Sequence, residues 1–184
     1  MYGIDVLIKE HDNILVFTKY VRKLCCDVID GKQVNIPAFQ SCINFARNYA
    51  DKHHHGKEEQ ILFRVMLERL GFAAEKLIRN GMLVEHDLGR YHIGELERAL
   101  EQYSGNPATS GKLDIITHAA GYADMLERHI EKENNACYSY AERALSKEDK
   151  ERIDEQTRCF EKQAEQSGVQ KKYVAYLKEK EGDL

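Results

Sequence analysis

Four stretches of the chain carry apolar residues at alternating three- and four-residue spacing, the period of one helix face. In the first, the stripe runs Ile4, Leu7, Ile8, His11, Ile14, Leu15, Thr18; in the second, Ile43, Ala50, His54, Glu58, Ile61, Val65. The third carries Met82, His86, Gly89, Ile93, Leu96, Leu100, and the fourth Ile115, Ala119, Tyr122, Leu126, His129, Glu133, Ala136, Tyr140. Breakers separate them: the stretch Gly31 to Pro37, Gly71, and the stretch Ser104 to Ser110. The pattern predicts helices near 2–30, 37–70, 72–104 and 110–145, with one or two more in 147–180. Ser146 and Asp149 resemble a capping box with Asp in place of Glu.

Long helices joined by short turns predict an all-α, up-and-down four-helix bundle over residues 1–145. Residues 146–184 read as a polar helical extension with a sparse apolar set that includes Ile153, Phe160, Val169, Tyr173, Val174 and Leu177. Such a segment lies across the bundle or at a subunit contact, which leaves a homodimer open.

Composition agrees with a helical domain: 184 residues can bury a sizeable core, and only 2 Pro and 12 Gly occur beside 32% charged residues. With 27 basic against 31 acidic side chains the net charge is -4, so no basic field is present to hold nucleic acid. No run reaches the roughly 18 apolar residues of a membrane span. Five cysteines without a C-x-x-C pair, and an N-terminus without a charged-then-apolar leader, point to the cytoplasm. Cys25 and Cys42 are expected as buried free thiols.

Histidine or glutamate interrupts every stripe where bundle packing wants leucine. Two His-x-x-x-Glu pairs, His54 with Glu58 and His129 with Glu133, each place both side chains on one helix face. Burying two carboxylates costs several kcal/mol apiece unless cations compensate. Depth supports a meeting point. His11 lies 19 residues before residue 30, and His54 and Glu58 lie 17 and 21 residues beyond residue 37. The same count from Gly71 brings His86 level with His54 and Glu58, and from the third turn it leaves His129 and Glu133 offset from His86 by about 5 Å.

His11, His54, Glu58, His86, His129 and Glu133 therefore form one candidate layer. They are too many for one zinc and suit two first-row ions, iron or manganese, with the glutamates able to bridge and a position left open on each metal. A helix turns about 100° per residue, so at most one of His53 and His55 joins His54 in facing the core. His55 is open as a seventh ligand or as a hydrogen-bonding neighbour of one, while His53 is expected in solvent. Glu59 and Glu85 accept an imidazole N–H or lie on an exposed face. Arg90 pairs with a buried glutamate or an anion, or sits at the surface.

These segments resemble the hemerythrin-like (HHE cation-binding) domains. The resemblance rests on Glu10-His11-Asp12, on His54-His55-Gly56-Lys57-Glu58-Glu59 followed by Ile61-Leu62-Phe63, on Glu85-His86-Asp87, and on His129-Ile130-Glu131-Lys132-Glu133. It implies a bundle holding two iron ions joined by an oxo or hydroxo bridge, with Glu58 and Glu133 as bridging carboxylates and His11, His54, His86 and His129 as terminal ligands. Oxygen-carrying members have His-x-x-x-His on the third helix, where this chain has His86 and then Arg90, and Asp where this chain has Asn134. The absent fifth histidine argues against reversible oxygen storage and for a more open, more reactive pair.

The expected function is a di-iron protein that binds or reacts with O2, NO or peroxide as a sensor, scavenger or sequesterer in a stress response. Turnover of peroxide or NO is an enzymatic alternative, although no dedicated general acid or base is identifiable. The ligand set also resembles that of di-iron proteins that repair iron-sulfur clusters; their cysteine-bearing N-terminal domain is expected to be missing, because helix 1 starts beside Met1. A metal-regulated interaction module working through residues 147–180 is the third reading.

Overall fold

The structure, a computed structural model, describes residues 1–182; the last two residues of the C-terminal extension lie outside the described residues. It contains no strand among the described residues. Four long helices build the bundle: α1 (Tyr2–Ile29), α2 (36–69), α3 (71–105) and α4 (109–144). Two more, α5 (Lys147–Ser167) and α6 (Val169–Glu181), follow. The bundle helices end within one residue of the positions the breakers predict. Asn35 caps α2 by accepting the Ala38 N–H at 3.1 Å, with Pro37 in the first turn where its missing N–H costs nothing. Gly71 (φ +63°) makes the reversal between α2 and α3 in the left-handed region that a side chain would resist. At α5, Ser146 Oγ accepts the Asp149 N–H at 3.1 Å, which is the N-cap half of the predicted box, while Asp149 Oδ2 takes the Ser146 hydroxyl at 2.7 Å in place of the Ser146 N–H.

Two apolar clusters fill the bundle, one at each end. Ile14, Phe17, Phe45, Leu96, Ile115 and Leu126 belong to one, and Ile4, Leu62, Met66, Ile78, Tyr138 and Ile153 to the other. Along each of the four helices the switch between clusters falls at the interrupting histidine or glutamate. His11 lies between Leu7 and Ile14, His54 and Glu58 between Ala50 and Ile61, His86 between Met82 and Ile93, and Glu133 between Ile130 and Cys137. A polar layer is thus sandwiched in an otherwise apolar core.

The helices depart from regular α geometry around this layer. Ala46–His55, Glu58–Leu62, Ile78–Met82 and Glu133–Tyr138 are π-helical, with the wider i to i+5 turn that is frequent at functional sites. Successive residues then rotate through less than 100°, so neighbours share a face that an α-helix would divide. His53, His54 and His55 are all buried, at 3%, 1% and 3% exposure. The expectation that His53 is solvated, and that at most one of its pair joins His54 inside, is therefore corrected. On α4 the stripe slips by the same cause: Cys137, Tyr138 and Ala141 are buried, while Ala136 is exposed and Tyr140 only half-buried.

The extension packs along its own bundle. Tyr173 and Leu177 of α6 enter the first cluster, where the Tyr173 hydroxyl donates to Asn44 Oδ1 at 2.6 Å. Asp154 of α5 accepts the Gly3 N–H at 2.8 Å, and Ile153 enters the second cluster. Cys25 and Cys42 are buried free thiols, and burial pushes them up to about 11 and about 12. Among the described residues no helix is long and apolar enough to cross a membrane.

Phe45 joins α2 to both α1 and α6: fully buried, its ring stacks on Phe17 at 4.3 Å and meets Tyr173 edge-on at 5.6 Å. Phe45→Ala is expected to cost about 3–5 kcal/mol of unfolding free energy, measured by chemical denaturation of the metal-free chain. A loss below about 1 kcal/mol would mean that α6 does not dock as described.

Candidate metal centre

The structure brings all six residues of the predicted layer together and adds a seventh, His55. His11 Nε2 lies 3.1 Å from Glu133 Oε2, and His129 Nε2 lies 3.2 Å from Glu133 Oε1. His54 Nε2 and His86 Nε2 lie 3.7 and 3.5 Å from Glu58 Oε2. The 5 Å offset in depth does not separate the helices, since His86 Nε2 is 3.8 Å from Glu133 Oε1. The donors fall into two adjoining groups, each with its ligand atoms within 4.8 Å of one another: His11, His54, Glu58 and Glu133 in one, His55, His86 and His129 in the other. His55 stacks on His86 with centroids 3.8 Å apart.

Whether cations fit can be judged from what the protein leaves unsatisfied. Glu58 Oε2, both oxygens of Glu133, and the Nε2 atoms of His86 and His129 are buried without a hydrogen bond. Buried polar atoms are normally paired, and five orphans pointing at one another are costly unless something positive sits among them. Imidazole nitrogen with carboxylate oxygen suits first-row metal ions.

The far sides of the rings make the complementary case. Each of the five histidines turns Nδ1 outward to an acceptor: His11 to Asn134 Oδ1 at 2.9 Å, His54 to Glu10 at 2.9 Å, His55 to Asp51 at 3.4 Å, His86 to Glu59 at 2.7 Å and His129 to Glu85 at 2.9 Å. Donation from Nδ1–H selects the tautomer whose Nε2 lone pair faces inward, the arrangement metal-bound histidines require. Arg90 ties two of these acceptors together, reaching Asp51 at 2.9 Å and Glu59 at 2.7 Å, so it braces His55 and His86 from outside. Lys132 does the same for Glu85.

The electrostatics match this division. Burial pushes His54 down to about 4 and His55 well below the usual imidazole range, which keeps both neutral and able to ligate. Burial and the neighbouring Glu133 charge push Glu58 well up. Glu133, although burial opposes it, is held well down by the imidazoles of His129 and His11. Two carboxylates cannot both keep a full charge in this space without cations.

Several participants escaped the sequence reading. Tyr138 is fully enclosed, donates its hydroxyl to Glu58 Oε1 at 2.6 Å and lies 3.3 Å from His11 Nε2. Its signal was the i+5 spacing from Glu133, a period that counting by three and four passes over. Asn134, Glu10 and Asp51 act on rings of other helices or turns. His92 and His118 lie away from the layer, half-buried, with their Nδ1 atoms 3.3 Å apart.

A family model of the hemerythrin HHE cation-binding domain matches residues 2–141, and the chain belongs to that family of metal-binding helical bundles. No curated protein matches the chain.

His55→Ala tests the seventh donor. Because losing even a hydrogen-bond partner of a ligand typically costs about 10–100-fold in metal affinity, the variant is expected to hold one metal equivalent as before and the other at least about tenfold more weakly, read by anaerobic metal titration. Unchanged affinity for both equivalents would remove His55 from the ligand set.

Proposed function

We propose that this chain holds two iron ions and binds or reacts with a small ligand, O2, NO or peroxide, as a sensor, scavenger or sequesterer. The observation that carries the reading is the closed set of seven buried donors whose five imidazoles are all anchored at Nδ1 and aimed inward. Two carboxylates set among five imidazoles give enough donors for two ions, with Glu58 and Glu133 placed to be shared between them. Manganese is the competing metal.

A bound iron pair would supply electrons and a site for a small ligand to attach. The protein's own part is to position and to exclude. Beside His55 and His86 lies a cavity of about 110 Å³, bounded further by Gly89, Ile93 and Tyr122. That is room for a few water-sized molecules. A Cβ on Gly89 would meet Met125 Cε at 2.9 Å and the Tyr122 ring at 3.3 Å, so glycine lets α3 and α4 close over this space. Arg90 stands at its mouth, 40% exposed and paired with Asp51 and Glu59. Tyr138 donates its hydroxyl to Glu58 Oε1 from the opposite side.

Iron loaded anaerobically into the full chain, followed by titration with O2, NO and peroxide while the spectrum is recorded, tests the proposal. The expected result is two irons per chain, near-UV bands on air exposure, and saturation at a fixed ratio of ligand to protein. Well under two irons per chain with no such bands would overturn it. Continuous consumption of peroxide or NO, lost in Glu58→Ala and Glu133→Ala, would make the protein an enzyme instead of a binder.

A further inference from the structure

Lys57 is the most unusual side chain outside the ligand set, 2% exposed in the interior of a bundle. Lysine is almost never fully buried unless paired. Its ammonium donates to Glu10 Oε1 and to Glu161 Oε1, the latter at 2.5 Å, lies 3.1 Å from His53 Nε2, and sits 5.6 Å over the Phe160 ring. Glu10, His53 and Glu161 have the mutual spacing of a metal site, and the lysine occupies the place a cation would take. Gln170 of α6 closes the group by donating to Glu161 Oε2 and lies 3.2 Å from His53 Nε2.

The group is continuous with the metal centre through one residue. Glu10 accepts from His54 Nδ1 with one oxygen, and holds Lys57 and His53 with the other. Although burial opposes it, the hydrogen bonds from His53 and His54 and the charge of Lys57 hold Glu10 well below the usual carboxylate range. Gln170 and Glu161 belong to α6 and α5, outside the residues 2–141 matched to the family. Glu10 comes from the bundle itself, as do the anchors of the other four histidines (Asn134, Asp51, Glu59 and Glu85), but Glu10 is tied on through Lys57 to Glu161 of the extension.

We propose that the two C-terminal helices position one metal ligand, His54, through Glu161, Lys57 and Glu10, so that they govern the cation held by His11 and His54 and not the one held by His55, His86 and His129. Lys57 and Glu161 are positioning residues. Without the ammonium, Glu10 loses the contact that fixes its carboxylate against the His54 ring; without Glu161, the ammonium loses its tie to α5 and α6. The inference rests on the two-metal reading above.

The test uses Co(II) as the probe, titrated anaerobically into the full chain and followed by its visible absorption, in two backgrounds. In His55→Ala the tighter ion is the one held by His11 and His54, and Lys57→Met is expected to weaken it by about 10–100-fold. In His11→Ala the tighter ion is held by His55, His86 and His129, and Lys57→Met is expected to leave it within about twofold. Glu161→Gln, at a site 17% exposed, leaves Lys57 paired with Glu10 and supplies a variant that folds if Lys57→Met does not. It is expected to act in the same background only, and less strongly. Equal weakening in both backgrounds would show general loosening and overturn the proposal, as would no change in either. Fewer than two Co(II) per wild-type chain would instead overturn the two-metal reading beneath it.

Discussion

Two carboxylates, Glu58 and Glu133, lie fully buried at the centre of a helical bundle, and most of what is unusual in the molecule follows from keeping them there. Desolvating one carboxylate costs several kcal/mol, and desolvating two side by side adds their repulsion. The surrounding imidazoles meet this only in part, because burial disfavours their charged form too, as His54 and His55 show. What is left is a cage whose acceptors outnumber its donors. The apolar clusters at either end close it off from water, which makes its charge imbalance matter more, since the same charges interact far more strongly in a medium of low polarisability than in solvent.

The backbone yields to this constraint. Four helices can each bring about one residue per turn to a common level, and regular α geometry would let one neighbour of His54 join it but not both, and would deliver Glu133 or Tyr138 but not both. The π turns at Ala46–His55 and Glu133–Tyr138 bury His53, His54 and His55 together, and Glu133 together with Tyr138. Helices with this wider turn are otherwise rare and short. Their concentration beside the polar layer, instead of along the helices at large, marks the layer as the place where local geometry was given up for side-chain placement.

This explains what could and could not be read from the sequence. The bundle was legible because Gly31, Pro37, Gly71 and the Ser104 to Ser110 stretch punctuate four clear stripes, and because helix length follows from where the breakers fall. The six interrupting residues were legible because each stands where leucine belongs. The burial of His53 together with His55, and the place of Tyr138, were not, since a ruler of 3.6 residues lets only one neighbour join His54 and assigns Tyr138 to another face, and the burial of Cys137 in place of Ala136 is the same one-residue slip seen in the apolar pattern. Glu10 and Asn134 were hidden for a different reason. Each orients a ring on another helix, His54 and His11 respectively, and no spacing within one helix encodes a contact between two.

The seventh donor changes the character of the centre. Counting four imidazoles, the chain lacks the fifth histidine that its third helix would carry in an oxygen carrier, and an evenly open pair of metals is the natural inference. With His55 supplied from α2, the donors divide unequally: both carboxylates stand with His11 and His54, and three imidazoles stand together on the other side. The first group holds both carboxylates and is braced from α5 and α6 through Lys57; the second holds three imidazoles, of which His86 and His129 also face Glu58 and Glu133, is braced by Arg90 and Lys132 near the surface, and adjoins the cavity. Donor type, bracing and access thus all differ between two groups that adjoin. A cation on the carboxylate side would be held by charge in a closed pocket. One on the imidazole side would be held by three imidazoles and a share of the same carboxylates next to open space, so the asymmetry that the sequence had argued away is restored by a residue one position from a predicted ligand.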